Sequence, residues 1–250
     1  MRQFFPEDFN RYIEPFAGSA AFFFRVGAGQ AILNDLNPHL VDFYRHVSND
    51  PSTIYDDLIA HDRSRETYNL LRARFNSMPG GAKKAAIFYY LNRNSFNGIY
   101  RENKSGKYNV PFSASRVPRY PTRVEFMLSA ELLKSARVKN LDFEVFCERY
   151  CREGDFVYLD PPFYSTASRI FNEYNATPFN GADLTRLVAV LDRLDNIGSK
   201  VMISYNESIV NRLKRRRRWS EAQIRVIRTI AGGASGGVYS SEAVLFNYVS

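Results

Sequence analysis

The chain has 250 residues, 45% of them hydrophobic and 24% charged, enough for one good core or one core with a smaller appended module. Its formal net charge of +8 favours polyanionic partners over acidic small substrates, and its 15% aromatic content supplies flat surfaces on which bases can stack. No apolar run is long enough to span a bilayer and no basic start leads into an apolar stretch, so a cytoplasmic protein with no membrane partner is expected.

Cys147 and Cys151 stand at helical i,i+4 spacing, and a zinc site would need two more ligands nearby. His39, His46 and His61 are scattered without such a pattern, so no metal is expected and the two thiols read as reduced and semi-buried.

In chain order, Arg11 to Glu14 is short and extended. It runs through Pro15-Phe16-Ala17-Gly18-Ser19-Ala20 into the apolar helix Ala21 to Val26, which Gly27 and Gly29 stop. Ala31-Ile32-Leu33, bounded by Asn34-Asp35, reads as a second buried strand, and the opening is therefore a βαβ unit. Pro38 to about Met78 is helical in pattern, and a further helix covers Ala82 to about Leu91. Asn92 to Pro121 is polar and basic, with a hairpin turn at Lys104-Ser105-Gly106-Lys107 and Tyr108-Asn109-Val110 as the returning strand. Residues 50–130 are read as an insertion carrying this hairpin.

The alternating pattern then resumes. Ala136 to Val138 is a short strand, Asp142 to Arg152 a helix, and Asp155 to Leu159 the clearest buried strand of all. A helix from Ala182 to Leu194, a strand from Lys200 to Ser204 and a helix from Glu207 to about Arg217 follow. Gln223 to Ile227 and Ala243 to Tyr248 are the last strands. Lys214 to Arg218 is a basic run, either a solvated helix face or a phosphate contact.

In an open parallel sheet, ligands bind outside the carboxyl ends of the strands, and two loops stand there. The first is Glu14 to Ala20, where Gly18 and its small neighbours let the backbone approach a ligand at a helix N-terminus. It has neither the spacing of a dinucleotide fingerprint nor a phosphate-loop lysine. Asp35, after the second strand, is placed to accept from ribose hydroxyls, although a lone Asp there is usually a helix cap or turn residue. The second loop is Asp160-Pro161-Pro162-Phe163-Tyr164. The lone pair of an exocyclic base amine is delocalised into its ring. A carboxylate and a carbonyl held by rigid prolines can accept its two hydrogens and make the nitrogen nucleophilic, and Phe163 offers a stacking face. An Asp-Pro-Pro turn after a strand also occurs for purely structural reasons.

Together these loops resemble the N6-adenine-specific DNA methyltransferases of the Dam-like class. The resemblance extends to Asn34-Asp35-Leu36-Asn37, to Asp142-Phe143, and to Leu91-Asn92-Arg93-Asn94-Ser95-Phe96-Asn97-Gly98-Ile99-Tyr100-Arg101 followed by Asn109-Val110-Pro111-Phe112. It implies a Rossmann-like α/β methyltransferase fold, with a mostly parallel seven-stranded sheet and helices on both faces. In that fold 1–49 and 131–250 would be the catalytic S-adenosylmethionine-binding domain, and 50–130 the inserted target-recognition region.

The resemblance further implies that Glu14, Pro15, Phe16, Gly18 and Ser19 surround the methionine end of S-adenosylmethionine. Asp35 and Asn37 would hold its ribose, Asp142 and Phe143 would lie by its adenine, and Asp160 would border it. Asp160, Pro161, Pro162 and Phe163 would be catalytic, with Asp160 and the Pro161 carbonyl taking the amine hydrogens of an adenine flipped from double-stranded DNA. The hairpin would read that DNA through Asn92, Arg93, Asn94, Asn97, Arg101, Lys104, Lys107, Asn109 and Pro111. A restriction endonuclease is a candidate partner, and a bacterial or phage source is expected.

The sequence departs from the family in two places. The usual Trp-Ala-Gly-Gly-Lys segment before the first strand is missing, the sole tryptophan being Trp219; either the sequence is truncated or Arg2 to Phe9 is a poorer substitute. Weakened cofactor binding is the expected consequence. Ser113-Ala114-Ser115 replaces the basic segment of relatives that read GATC, so that target is not expected automatically. Cytosine N4 methylation, or a DNA-binding relative without catalysis, are the alternatives.

Overall fold

Tyr12–Glu14, buried throughout, forms β1, an interior strand of the sheet in the computed structural model, which describes residues 2–114, 118–162, 179–206, 210, 213, 219–228 and 238–248. The other strands are β2 (Ala31–Asn34), β3 (Ala136–Lys139), β4 (Phe156–Leu159), β5 (Lys200–Asn206), β6 (Ser220–Arg228) and β7 (Val238–Phe246). They make one sheet of order β3-β2-β1-β4-β5-β7-β6. The β1–β2, β1–β4 and β4–β5 pairs are parallel, whereas β7 runs antiparallel to both β5 and β6. This is the α/β, mostly parallel seven-stranded fold that the resemblance implied.

Contacts divide the described residues into two compact units. The first takes in residues up to 36, 141–162 and those from 179 onward; the second takes in 37–140.

In the first unit, α1 (Ala21–Val26), α7 (Phe143–Tyr150) and α8 (Gly181–Asn196) accompany the strands. Phe156-Val157-Tyr158-Leu159 is an unbroken apolar run because a central parallel strand is covered on both faces. Val157 and Leu159 join Ile13, Ile32, Val201 and Ile203 in a cluster with Leu184, Leu187, Leu191 and Leu194 of α8 and Phe146 of α7. The opposite parity carries aromatic rings: Phe22 lies 4.4 Å from Tyr158, and Phe5 lies 5.0 Å from Phe156, centroid to centroid. The N-terminal segment is thus anchored at the amino end of β4, with Phe9 also on Phe156 and Phe4 stacked on Phe246.

The second unit holds α2 (Pro38–Asn49), α3 (Pro51–Ile59), α4 (Arg65–Ser77), α5 (Ala82–Asn94) and α6 (Arg123–Lys134) together with the β3 residues. The helical pattern from Pro38 to Met78 resolves into three helices. Pro51 has no amide to continue α2, and Asp50 caps α3 by accepting from Thr53 N at 3.1 Å. Ser64 caps α4 in the same way. Helix α6 was not expected; Thr122 and Glu125 start it with a capping box.

The hairpin turn is present, with Asn103 Oδ1 accepting from Ser105 N and Lys107 N, but no paired strands flank it. Isolated bridges, Glu102 to Tyr108 and Ser95 to Phe112, link its sides, with Arg101 Nε donating to Asn109 Oδ1 beside the first. Side chains of α4 hold the outer edge of the returning segment: Asn76 exchanges two hydrogen bonds with Tyr108, and Tyr68 and Arg72 donate to the Val110 carbonyl. The expected helix from Glu207, the basic run to Arg218 and Ser115 fall largely outside the described residues.

Candidate functional site

Four strand ends of the first unit converge on one region. β1 delivers Glu14, β2 delivers Asn34 and Asp35, β4 delivers Asp160, and β5 delivers Ser204 and Tyr205. Gly18 has φ of +49°, a left-handed conformation that glycine adopts without strain, and the space where a Cβ would stand is open. Its amide donates to Asp35 Oδ2 at 2.9 Å, and the amide of Ala17 donates to the Asn34 carbonyl at 2.8 Å. The first loop is therefore folded back on the end of β2, with Gly18 and Ser19 exposed and Pro15 buried.

Asn34 is the fastener of this arrangement. It is 1% exposed; its Nδ2 donates to the carbonyls of Pro15 and Leu141, at 3.0 and 2.9 Å, while its Oδ1 accepts from Leu141 N at 3.0 Å. No role had been assigned to it from the sequence. A polar residue closing an otherwise apolar buried strand was the available signal.

Glu14 is 2% exposed. Burial pushes its carboxyl well above the usual range, against the pull of the Tyr12 hydroxyl, which donates to Oε2 at 2.8 Å. The negative charges of Asp160 and Asp35 push it up further. Three acids thus face one another at the loop ends, a setting that favours a cationic ligand.

Phe143 is buried, with Phe16 at 5.1 Å and Phe179 at 6.2 Å between ring centroids. Asp142 caps α7 through Glu144 N and pairs with Arg186, whose guanidinium also binds Glu144 and lies 4.8 Å from the Phe143 ring centre. The side chain of Asp142 therefore anchors Phe143. Asn37 lies in the second unit, where its Oδ1 accepts from His39 N and Leu40 N to cap α2. These two residues, expected as cofactor contacts, carry structural duties.

Asp160 is exposed, Pro161 buried and Pro162 half-buried. Ser204 Oγ donates to Asp160 Oδ1 at 3.1 Å, and the hydroxyls of Tyr158 and Ser204 are 3.2 Å apart. Tyr205 donates its hydroxyl hydrogen to the Pro162 carbonyl at 2.8 Å. Phe163, the fourth expected catalytic residue, lies outside the described residues.

In the second unit the expected DNA-contacting residues separate into two groups. Lys104 and Lys107 are exposed on the turn, and Asn97 is exposed at φ +55° in the short 3₁₀ turn Phe96–Gly98. Arg101 is half-buried with Nε donating to Asn109 Oδ1 at 2.8 Å, which presents the pair as one unit. The others brace the segment. Asn94 is 0% exposed and hydrogen-bonded to Tyr90, Tyr120 and Arg63. Asn92 Nδ2 donates to the Gly98 carbonyl, Arg93 donates to the Arg119 carbonyl, and the Pro111 carbonyl accepts from Phe96 N. Phe96, passed over in the sequence, is a phenyl ring 38% exposed at the tip of this braced turn.

Among the described residues no group of three or more His, Cys, Asp or Glu could hold a metal ion, and no helix is long and apolar enough to cross a membrane.

A family model described as D12 class N6 adenine-specific DNA methyltransferase matches residues 1–229. The chain is 33% identical over 213 residues to a protein of Lactococcus lactis subsp. cremoris named Type II methyltransferase M1.LlaDCHI, covering 81% of this chain and 74% of that one. It is 31% identical over 222 residues to Type II methyltransferase M.MjaIII of Methanocaldococcus jannaschii, covering 81% and 76%. It is 28% identical over 235 residues to a DNA adenine methylase of Vibrio cholerae serotype O1, covering 90% and 82%.

Proposed function

The chain belongs to the D12 class N6 adenine-specific DNA methyltransferases, and on that premise we propose that it uses S-adenosylmethionine, bound at the ends of β1 and β2, to methylate an adenine flipped from double-stranded DNA at Asp160. The observation that carries this reading is the position of Asp160: an exposed carboxylate at the end of a fully buried strand, held by Ser204 and close enough to Glu14 to raise its pKa.

The residues present fit the cofactor. Its ammonium and sulfonium are cationic, and Glu14, Asp35 and Asp160 form an acidic setting whose mutual repulsion a cation would relieve. The open backbone at Gly18 leaves room for close approach, and Phe16 and Phe143 offer ring faces to an adenine. Glu14 would hold the ammonium, Asp35 the ribose hydroxyls, and Phe143 with Phe16 the base. When bound, S-adenosylmethionine supplies an electrophilic methyl group.

The chain's own residues then do the rest. Asp160 accepts a hydrogen bond from one amine hydrogen and the Pro161 carbonyl from the other, so that the nitrogen lone pair leaves the ring, and the one proton the nitrogen sheds on gaining a methyl group passes by way of Asp160 to solvent. Oriented acceptors in a fixed loop need no reorganisation at the moment of reaction, and this positioning supplies the rate. Turning the base out of the duplex costs a few kcal/mol, recovered by contacts in the site and along the DNA.

The segment 92–112 is the proposed DNA reader. Lys104, Lys107 and Arg101 would meet phosphates, and Asn97 a base edge. Phe96 has the exposure and the rigid support of an apolar side chain that inserts between bases. A cytoplasmic setting and a cognate restriction endonuclease belong to the same proposal, supported by relatives named as Type II methyltransferases.

Replacing Asp160 by Ala should abolish transfer of labelled methyl groups to duplex DNA while leaving DNA affinity within about two-fold. Turnover near that of the parent would sink the scheme.

A further inference from the structure

We propose that Ser204 and Tyr205 are positioning residues that clamp the Asp160-Pro161-Pro162 loop from opposite faces of the sheet. This rests on the reading of Asp160 as the acceptor for the target amine.

The register of β5 sets up the clamp. Its pairing with β4 ends at Leu159 to Ile203, yet β5 continues to Asn206, held on its other edge by β7 through Ser204 to Val244 and Tyr205 to Ala243. The strand thus outruns its parallel neighbour by three residues, and the loop at 160–162 lies where that neighbour stops. Consecutive strand residues point to opposite faces. Ser204 accordingly reaches the Asp160 carboxylate at 3.1 Å, and Tyr205 reaches the Pro162 carbonyl at 2.8 Å.

Both groups would be costly in this position without such partners. Ser204 is a hydroxyl in the buried run Val201-Met202-Ile203, and Tyr205 is fully buried. Alanine and phenylalanine would fill these places with no polar atom to satisfy. The hydroxyl of Tyr158, 3.2 Å from Ser204 Oγ, extends the chain of polar contacts and fixes the serine rotamer. The bond to Oδ1 restrains the Asp160 carboxylate and the bond to its carbonyl restrains Pro162, so the Pro161 carbonyl lies on a stretch of chain between two anchors.

The test measures single-turnover transfer of labelled methyl from S-adenosylmethionine to unmethylated mixed-sequence duplex DNA. Cofactor and DNA affinities are measured separately, and Asp160→Asn serves as reference. Ser204→Ala, Ser204→Cys and Tyr205→Phe should each slow the chemical step by about 10- to 100-fold with both affinities within about two-fold. Ser204→Thr, which keeps the hydroxyl, should recover most of the rate, whereas Ser204→Cys keeps only the volume. The clamp is overturned if Ser204→Ala and Tyr205→Phe react at the parent rate, if the Cys variant is as fast as the Thr variant, or if affinity falls in step with rate. Should Ser204→Ala not fold, the volume-conserving Cys and Phe variants decide the matter. An inactive Asp160→Asn beside fully active clamp variants would remove the clamp alone, while an active Asp160→Asn would remove the reading of Asp160 and the clamp with it.

Discussion

The side-chain amide of Asn34 pairs with the backbone of Leu141 as a neighbouring strand would, accepting from its N–H at 3.0 Å and donating to its carbonyl at 2.9 Å. The same Nδ2 also donates to the Pro15 carbonyl at 3.0 Å. One buried side chain therefore joins the loop after β1, the end of β2 and the loop that leads into Asp142 and Phe143. Three pieces of chain that the proposed cofactor site needs together are held at a single point.

Removing that fastener takes the partner from the Pro15 carbonyl in a buried setting and from the Leu141 carbonyl and amide in a partly buried one. Asn34→Ala is expected to lower stability by about 2–4 kcal/mol, since each unsatisfied buried group costs about 1–3 kcal/mol and some regain water. Urea denaturation with an unchanged slope would measure it. Asn34→Asp keeps Oδ1 for Leu141 N but loses both donated bonds and adds a fourth acid near Asp35, so it should be no milder. A loss below about 0.5 kcal/mol in both variants would show that the loops hold themselves together.

Glu14 gives a pH dependence with a definite sign. Its folded pKa lies above the ordinary value of about 4.5, chiefly through burial. Above that ordinary value the unfolded chain has released its proton while the folded chain has kept it, so protonation favours the fold and stability falls as pH rises. The cofactor-free protein should therefore lose melting temperature from about pH 5 upward, and Glu14→Gln should flatten that slope. If Glu14 holds an ammonium, it must ionise on binding. Calorimetry in buffers of different ionisation heat should then show proton release, and Glu14→Gln should weaken the cofactor by about ten-fold or more. A glutamine variant with unaltered affinity would remove Glu14 from the site.

Apolar runs made the sheet legible. Ile13, Ile32, Val157 and Ile203 sit in blocks short enough for strands and bounded by turn residues, so the strands and the loops at their ends could be read in order. What escaped was set by partners far along the chain. Asn34 works through residues 19 and 107 positions away, and Ser204 through one 44 positions away, which no local pattern reports. The strand expected at Tyr108 is cut to a single bridge with Glu102, and Asn76 of α4 holds the outer edge of its backbone. Helix α6 was hidden because Val124 and Leu128 are exposed while Phe126 and Leu133 are buried, which blurs its apolar stripe; its capping box was the readable signal. Asn94, expected from the motif to face DNA, has three internal partners that no local pattern announced.

The DNA-reading segment can be divided by experiment into charge and insertion. Lys104 and Lys107 are exposed on a turn that Asn103 shapes, so their neutralisation should leave the fold untouched. If they meet phosphates, each Lys→Ala change should weaken binding to all duplexes alike and reduce the slope of log affinity against log salt by about 1. Phe96 should behave differently, because its ring carries no charge and is exposed at the tip of a turn held by Pro111 and Ser95 backbone groups. Phe96→Ala should cost about 1–3 kcal/mol of DNA affinity, with the salt slope and melting temperature unchanged. Phe96→Tyr should retain the affinity, as the stacking face remains. Fluorescence anisotropy of a labelled duplex across a salt series reads both quantities at once. A Phe96→Ala variant that binds and methylates like the parent would return the segment to an electrostatic role alone, with sequence choice left to Asn97 and its neighbours.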